Sequence, residues 1–366
     1  MGRKSKNYFT KKGKAILIAS FFVLLMSAMG LYYFVYIPDW SWLNNFSYTQ
    51  ETALIPSDSI EEITPDFPVD DICEGCVRRW LDGVPVLPEE AGVFPVAVMI
   101  DNDVLARPQA GLSQASLVYE VPVEGGMTRY LAIFSDRSEV GTVGPIRSAR
   151  PYFVALAADL DALYLHCGGS PEALNDIKTA SIYDLNEFYD SDYFWRVNNS
   201  IREVPHDILT SSENWQSYLD GRDLSISEEA TWQFKNEGEH AVSAADLSIY
   251  FSSNFRALWR YDAENNEYLR YFNGLVGRDE NSEIRAKNII VQYVESEVLD
   301  EIGRLKIDLI GGGESLFCAD GECQATTWHK KSGSRTKYYF INGEEIKLNP
   351  GITWIEMADQ NTKVFY

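Results

Sequence analysis

The sequence predicts an α+β protein: an N-terminal mixed α/β domain followed by a β-rich C-terminal domain, preceded by one transmembrane helix. Three observations carry this. Ala15 to Ile37 is an uncharged run of 23 residues, AILIASFFVLLMSAMGLYYFVYI, about the length that spans a bilayer core. ALYLHCGGSPEAL reads as a strand, a Gly-Gly corner and a capped helix, an α/β pattern. After Asp246 short apolar runs recur about every eight to twelve residues between turn signals, as in a small sandwich or barrel.

Residues 1–14 carry Arg3, Lys4, Lys6, Lys11, Lys12 and Lys14 and no acid, so the N-terminus is expected in the cytoplasm. Tyr32, Tyr33, Tyr36, Trp40 and Trp42 then form an aromatic belt at the outer interface. The apolar run exceeds a signal-peptide core and lacks a clear cleavage site, which favours an uncleaved anchor over a leader. Residues 38–76 hold nine acids and no Lys or Arg and read as a solvated stalk. The protein is thus expected in the cell membrane as a single-pass chain with its body outside the cytoplasm.

The α/β domain is expected over 77–210. PVAVMI at 95–100 is a buried strand, and SLVYEV and RYLAIF pair through a hairpin around Gly125-Gly126. In GPIRSARPYFVALAADL, Ser148 is the expected N-cap, with Pro151 in the first turn. Ser170 caps the next helix and Pro171 takes its first position. Residues 211–245 are polar with weak periodicity and read as a connector. The β-rich domain is expected over 246–366, with strands in LSIYF, NIIVQYV, RLKIDLI, ESLFC, CQATTW, TKYYFI and TWIEM and a hairpin around Asp262–Glu267.

The net charge is −22. Beyond the basic tail, 26 basic face 54 acidic residues, a net of −28, which opposes nucleic-acid binding because that affinity comes mainly from phosphate neutralisation. Cys73, Cys76, Cys318 and Cys323 form two close pairs. Outside the cytoplasm two local disulfides are favoured over zinc. FCADGEC reads as a hairpin with Asp320-Gly321 in a type I′ turn, which sets Cys318 opposite Cys323.

PVAVMIDNDVLARPQAGLSQASLVYEVPVEGGMTRYLAIF, with VGPIRSARPYF, LHCGGSPEAL and VPHDILTS, closely resembles the YerB-like family of bacterial envelope lipoproteins. TTWHK and INGEEIKLNPGITWIEM resemble that family's second, β-rich domain. The resemblance covers roughly 80–357. It implies a two-domain extracytoplasmic architecture and no particular activity. A membrane helix stands where the family's pattern has a lipidated cysteine, and the Cys73–Cys76 motif is an addition.

The candidate site is an anion site. Arg147 and Arg150 flank a helix start at Ser148, where backbone N–H groups and the dipole favour negative charge. Arg107, Arg129, His166, Gly168, Gly169 and Ser170 are the expected neighbours. Asp101, Asn102, Glu120, Glu124, Thr128 and His206 form a possible further cleft. The arginines could equally be ion-pair partners in an acidic protein, and the glycines a tight turn. Asp101, Glu120 and Glu124 could offer oxygens to a hard cation, but their spacing matches no known loop, and neither a metal nor a cofactor is expected. Cys167 reads as a core residue. No Walker A loop, dinucleotide-binding glycine motif or nucleophile elbow occurs.

Two functions follow. The first is a membrane-anchored envelope module that binds an anionic cell-wall ligand or an envelope protein. The alternative is an envelope enzyme acting on a phosphate or pyrophosphate linkage, similar by analogy only to the LytR-type transferases.

Overall fold

The computed structural model describes residues 75–180, 182–197, 202–222, 232–280 and 282–366. The expected tail, membrane helix and nearly all of the stalk lie outside these residues. Among the described residues, no helix is long and apolar enough to cross a membrane.

Apolar runs with short turns between them produce three antiparallel strands first: β1 (Pro95–Asp101), β2 (Leu117–Pro122) and β3 (Thr128–Ser135). Two strand–helix units follow, with α1 (Pro151–Ala158), β4 (Leu163–His166), α2 (Pro171–Ala180) and β5 (Asp184–Asn186), then α3 (Ser212–Leu219). The second half is β6 (Leu247–Tyr250), β7 (Arg256–Asp262), β8 (Glu267–Phe272), β9 (Leu275–Val276) and β10 (Arg285–Ala286). It continues with β11 (Asn288–Tyr293), β12 (Gly311–Ala319), β13 (Glu322–Lys330), β14 (Lys337–Phe340), β15 (Thr353–Ala358) and β16 (Lys363–Phe365).

Ten strands form one sheet in the order β14-β13-β12-β11-β15-β2-β3-β1-β4-β5. The expected separate sandwich or barrel in the second half is not what forms. Five of its strands continue the first half's sheet through the parallel pair β15–β2, where Thr353 meets Leu117 and Glu356 meets Glu120. The cause is visible in TWIEMA, which is buried along its whole length. A strand apolar on both faces needs cover on both sides and neighbours on both edges. Six other strands form a second sheet, β9-β8-β7-β6-β16 with β10 against β8, and short two-stranded pairs lie outside both sheets.

Strand alternation divides the core between the two faces of the large sheet. Ala97, Met99, Leu131 and Ile133 face α1, with Tyr152, Phe153 and Leu156. Val96, Val98, Ile100, Ala132 and Phe134 face the other way, in one cluster with Leu247, Ile249, Trp259 and Tyr268 of the small sheet.

Two expected helix features differ. The first helix starts at Pro151 with Arg150 at the cap position and no side-chain cap, instead of being capped by Ser148. Residues 147–149 are drawn into backbone bonds instead: Arg147 N–H donates to Met99 O and Ala149 N–H to Gly168 O. In the expected connector, α3 is a capped helix, with Ser211 Oγ accepting from Asn214 N–H and Trp215 fully buried. One large anchor holds it, which is why its periodicity is weak. The hairpin at Asp320-Gly321 forms as expected, with φ of 55° and 78°, and Cys318 and Cys323 pair across it in a disulfide.

Candidate functional site

The chemistry gathers where β1 and β2 end and β3 begins, and alternation sorts it onto the two faces of the sheet. On the helix face, Asp101 Oδ2 accepts from His206 Nδ1 at 2.7 Å and lies 3.0 Å from Arg147 Nε. Arg147 Nη1 also donates to Pro205 O at 3.3 Å, tying the β1 end to the VPHD loop. Arg129 sits opposite Asp101 in the β1–β3 register. Its Nη1 donates to Ser148 O at 3.1 Å, and its Nη2 lies 3.9 Å from Glu124 Oε2. Arg150 Nε donates to Glu124 Oε1 at 2.5 Å.

Three guanidinium groups therefore meet two carboxylates, which leaves one surplus positive charge. Burial lowers the Arg129 pKa, and the neighbouring charges of Arg150 and Arg147 lower it further. Burial alone would raise the Glu124 carboxyl, but the Arg150 hydrogen bond and the nearby Arg charges hold it below its ordinary range. Arg147 and Arg150 keep 22% and 13% of their side chains exposed, so a ligand can reach them. Arg129 is buried behind them.

On the opposite face lies a closed network that sequence reasoning missed in part. Asn102 Nδ2 donates to Glu120 Oε1 and Thr128 Oγ1, and Thr128 Oγ1 donates to Glu120 Oε1 at 2.7 Å. Arg107 donates to Asn102 Oδ1 at 2.9 Å and lies 4.5 Å from the Phe272 ring centre, a cation–π contact. Arg107, Asn102, Glu120 and Thr128 are thus apart from the Arg147 corner. Arg270 of β8 donates to Glu120 Oε2 and Glu356 Oε1, each at 2.7 Å, and Trp259 Nε1 also donates to Glu356. The signal for this network is a single charge in each of two otherwise apolar strand runs, YLRYF and TWIEM. A buried charge has to be paired.

His166 and the glycine corner form a third place. His166 is buried, with Nδ1 donating to Gly168 O at 2.7 Å, Nε2 3.3 Å from Asp184 Oδ2, and its ring stacked on Tyr164. Gly168 has φ +59°, and a Cβ there would lie 2.8 Å from the Phe188 ring. A Cβ on Gly169 would meet Ala149 at 3.0 Å. The glycines thus admit the protein's own side chains at close range. Ser170 Oγ accepts from Ala173 N–H as the helix cap. The Cys167 thiol is pushed up to about 11 by burial and by Glu187, so it is a poor nucleophile.

Asp101, Glu120 and Glu124 each bind different cationic partners and do not converge. No cluster of three or more His, Cys, Asp or Glu side chains suited to a metal occurs among the described residues. A groove of about 580 Å³ lies elsewhere, in the second half, lined by Lys235, Glu239, Phe317, Phe340, Glu344 and others. Arg107, Arg129, Arg147 and Arg150 lie outside it. Its several carboxylates would repel an anion.

The architecture is α+β, and sequence comparison places the chain in a family. Residues 81–225 match the N-terminal domain, and residues 247–355 the C-terminal domain, of the protein family of unknown function DUF3048. The chain belongs to this family, in which YerB is a relative. It is 31% identical over 272 residues to the protein named "Putative lipoprotein YerB" of Bacillus subtilis (strain 168), covering 72% of this chain and 81% of that one. The crystal structure of YerB protein from Bacillus subtilis superimposes with a TM-score of 0.69 at 29% identity, covering 79% of this chain and all of that one.

Proposed function

We propose that this protein is a membrane-anchored, extracytoplasmic binding module of the bacterial envelope that holds an anionic group at the Arg147–Arg150 corner. The observation that carries this is the unbalanced charge: Arg129, Arg147 and Arg150 against Asp101 and Glu124. In a chain of net charge −22, a surplus cation at a partly open corner is a local exception, and arginine is suited to phosphate and carboxylate. The apolar run at 15–37 and the lipoprotein name of the relative support a membrane-attached envelope location. The test is thermal melting of the full chain with phosphate, pyrophosphate and wall-polymer fragments. A rise in melting temperature with pyrophosphate that disappears in Arg147→Ala supports the reading. No rise in the parent sinks it.

One observation favours a second reading, an enzyme acting on a phosphate or pyrophosphate linkage. Asp101 orients His206 through Nδ1, while Nε2 has no hydrogen-bond partner among the described residues. Such a pair suits a general base. Turnover of undecaprenyl pyrophosphate that is lost in His206→Gln would select this reading over simple binding.

A further inference from the structure

Beside the arginine corner runs a shelf of exposed aromatic rings. Phe188 is 64% exposed, Tyr189 84% and Trp195 36%. One ion-pair bridge ties the two segments together: Arg196 reaches Glu187 Oε1 at 3.0 Å and Asp207 Oδ2 at 3.2 Å. Asp207 directly follows His206 of the corner. The Phe188 ring also lies over Gly168, whose carbonyl accepts from Ala149 N–H, next to Arg150. The shelf and the corner are therefore neighbours on one continuous surface.

Exposing three large rings within one short segment forfeits burial energy and marks an interaction surface. We propose that the shelf binds the sugar rings of an envelope glycan, and that an anionic substituent of the same polymer is held at Arg147 and Arg150. Two features select a glycan. Flat aromatic faces accept the C–H faces of sugar rings. Asp190 and Asp192, within the same segment, supply acceptors for sugar hydroxyls. A flat anionic lipid surface, the other natural occupant of exposed aromatics, would set its charges against these carboxylates, whereas a glycan sets neutral sugar rings there and its charged substituent at the arginines. The charged substituent rests on the anion reading above; the ring contacts do not.

The test uses the full chain held in phosphatidylcholine nanodiscs. It measures sedimentation with bacterial wall sacculi that carry their phosphate-linked polymers, and with sacculi stripped of them by hydrofluoric acid. Tyr189→Ala is expected to weaken binding to both about fivefold, the effect of losing one ring contact, and Tyr189→Phe to restore it. Tyr189 is exposed, so the melting temperature stays unchanged. Arg147→Ala is expected to weaken binding to intact sacculi only. The pyrophosphate melting shift should be the same in Tyr189→Ala and the parent. If pyrophosphate gives no shift while the Tyr189 dependence persists, the shelf stands and the anion reading falls. Equal sacculus binding by Tyr189→Ala and the parent overturns the proposal. So does an absence of sacculus binding by the parent, or a Tyr189 dependence seen only with phosphatidylglycerol liposomes.

Discussion

Glu120 and Glu356 stand opposite one another in register on neighbouring strands, and Arg270 of the other sheet donates to both. One cation between two buried carboxylates leaves one negative charge too many. The system resolves this by protonation: burial, with the Glu120 charge next, holds the Glu356 carboxyl far above its ordinary range. A group whose folded pKa is raised gives its full stabilisation below the unfolded pKa and loses it as pH rises towards the folded value. This carboxyl should therefore cost the fold about 1.4 kcal/mol per pH unit above about pH 5, until the folded pKa is passed. Urea unfolding of the parent and Glu356→Gln from pH 5 to 9 checks this. The variant, which cannot ionise, should show the shallower decline; parallel curves would count against a protonated Glu356.

Removing the cation should be more severe. Arg270→Met leaves the Glu120 carboxylate buried without its cation beside the protonated Glu356, at a cost of about 3–5 kcal/mol. Arg270 links the small sheet to the large one, so the loss should loosen both. The triple variant Glu120→Gln/Arg270→Met/Glu356→Gln removes the charges together and should recover much of that loss in the same unfolding assay. Failure of the triple variant to recover would point to geometry instead of charge.

Gly168→Ala tests the reading of the glycine corner as packing. The new Cβ would meet the far end of the exposed Phe188 ring, which can swing aside, so backbone strain at φ +59° is the main opposition. A loss of about 1–3 kcal/mol is expected. Phe188→Ala in the same chain should relieve the contact and leave the backbone strain. Melting temperatures of the two single variants and the double variant separate these terms.

The strands and the local disulfide were legible because each depends on neighbours in sequence. PVAVMI, RYLAIF and FCADGEC contain their own pairing signals. The joining of β15 to β2 was not legible, because Thr353 and Leu117 lie far apart in the chain and no local pattern names a distant partner. The same limit applies to the site. Arg147, Arg150 and Arg129 could be grouped because turns bring their segments together, but Glu124, expected in a separate cleft, joins them. The alternation that sends Asn102 to the opposite face from Asp101 was readable in principle, but which face carried Arg270 depended on the second sheet. The gain from α3 was hidden for another reason: Trp215 anchors a short helix in an otherwise polar stretch, and period counting is insensitive to a single residue.

The short disulfide loop sets a bounded expectation. Cys318 and Cys323 are five residues apart, so closing the loop removes little unfolded-chain entropy, and less than the ~3 kcal/mol expected for a 15-residue loop. Cys318→Ala/Cys323→Ala should fold and should lose less than about 3 kcal/mol in denaturant titration. Peptide mapping of the parent without reduction should recover the two cysteines in one linked fragment.

Salt dependence distinguishes an anion site from a pair of structural ion bridges. On the proposed reading, the acidic body repels an anion at long range and the Arg147 corner attracts it at short range. Raising salt screens the long-range term first, because distant charges lie beyond a Debye length of about 10 Å at 0.1 M. Pyrophosphate affinity of the parent should therefore rise from low to moderate salt, then fall as the contacts themselves are screened. Arg147→Ala should lower the affinity by on the order of 2–3 kcal/mol if its contact is a desolvated, charge-assisted bond. Asp101 keeps His206 in that variant, so its melting temperature should change little. Arg150→Ala is the contrasting case. It strips Glu124 of its 2.5 Å partner and should lower both affinity and melting temperature. Titration calorimetry at several salt concentrations, with melting curves of the same preparations, reads both quantities. A monotonic fall with salt, or affinity unchanged in Arg147→Ala, would leave the corner as scaffold.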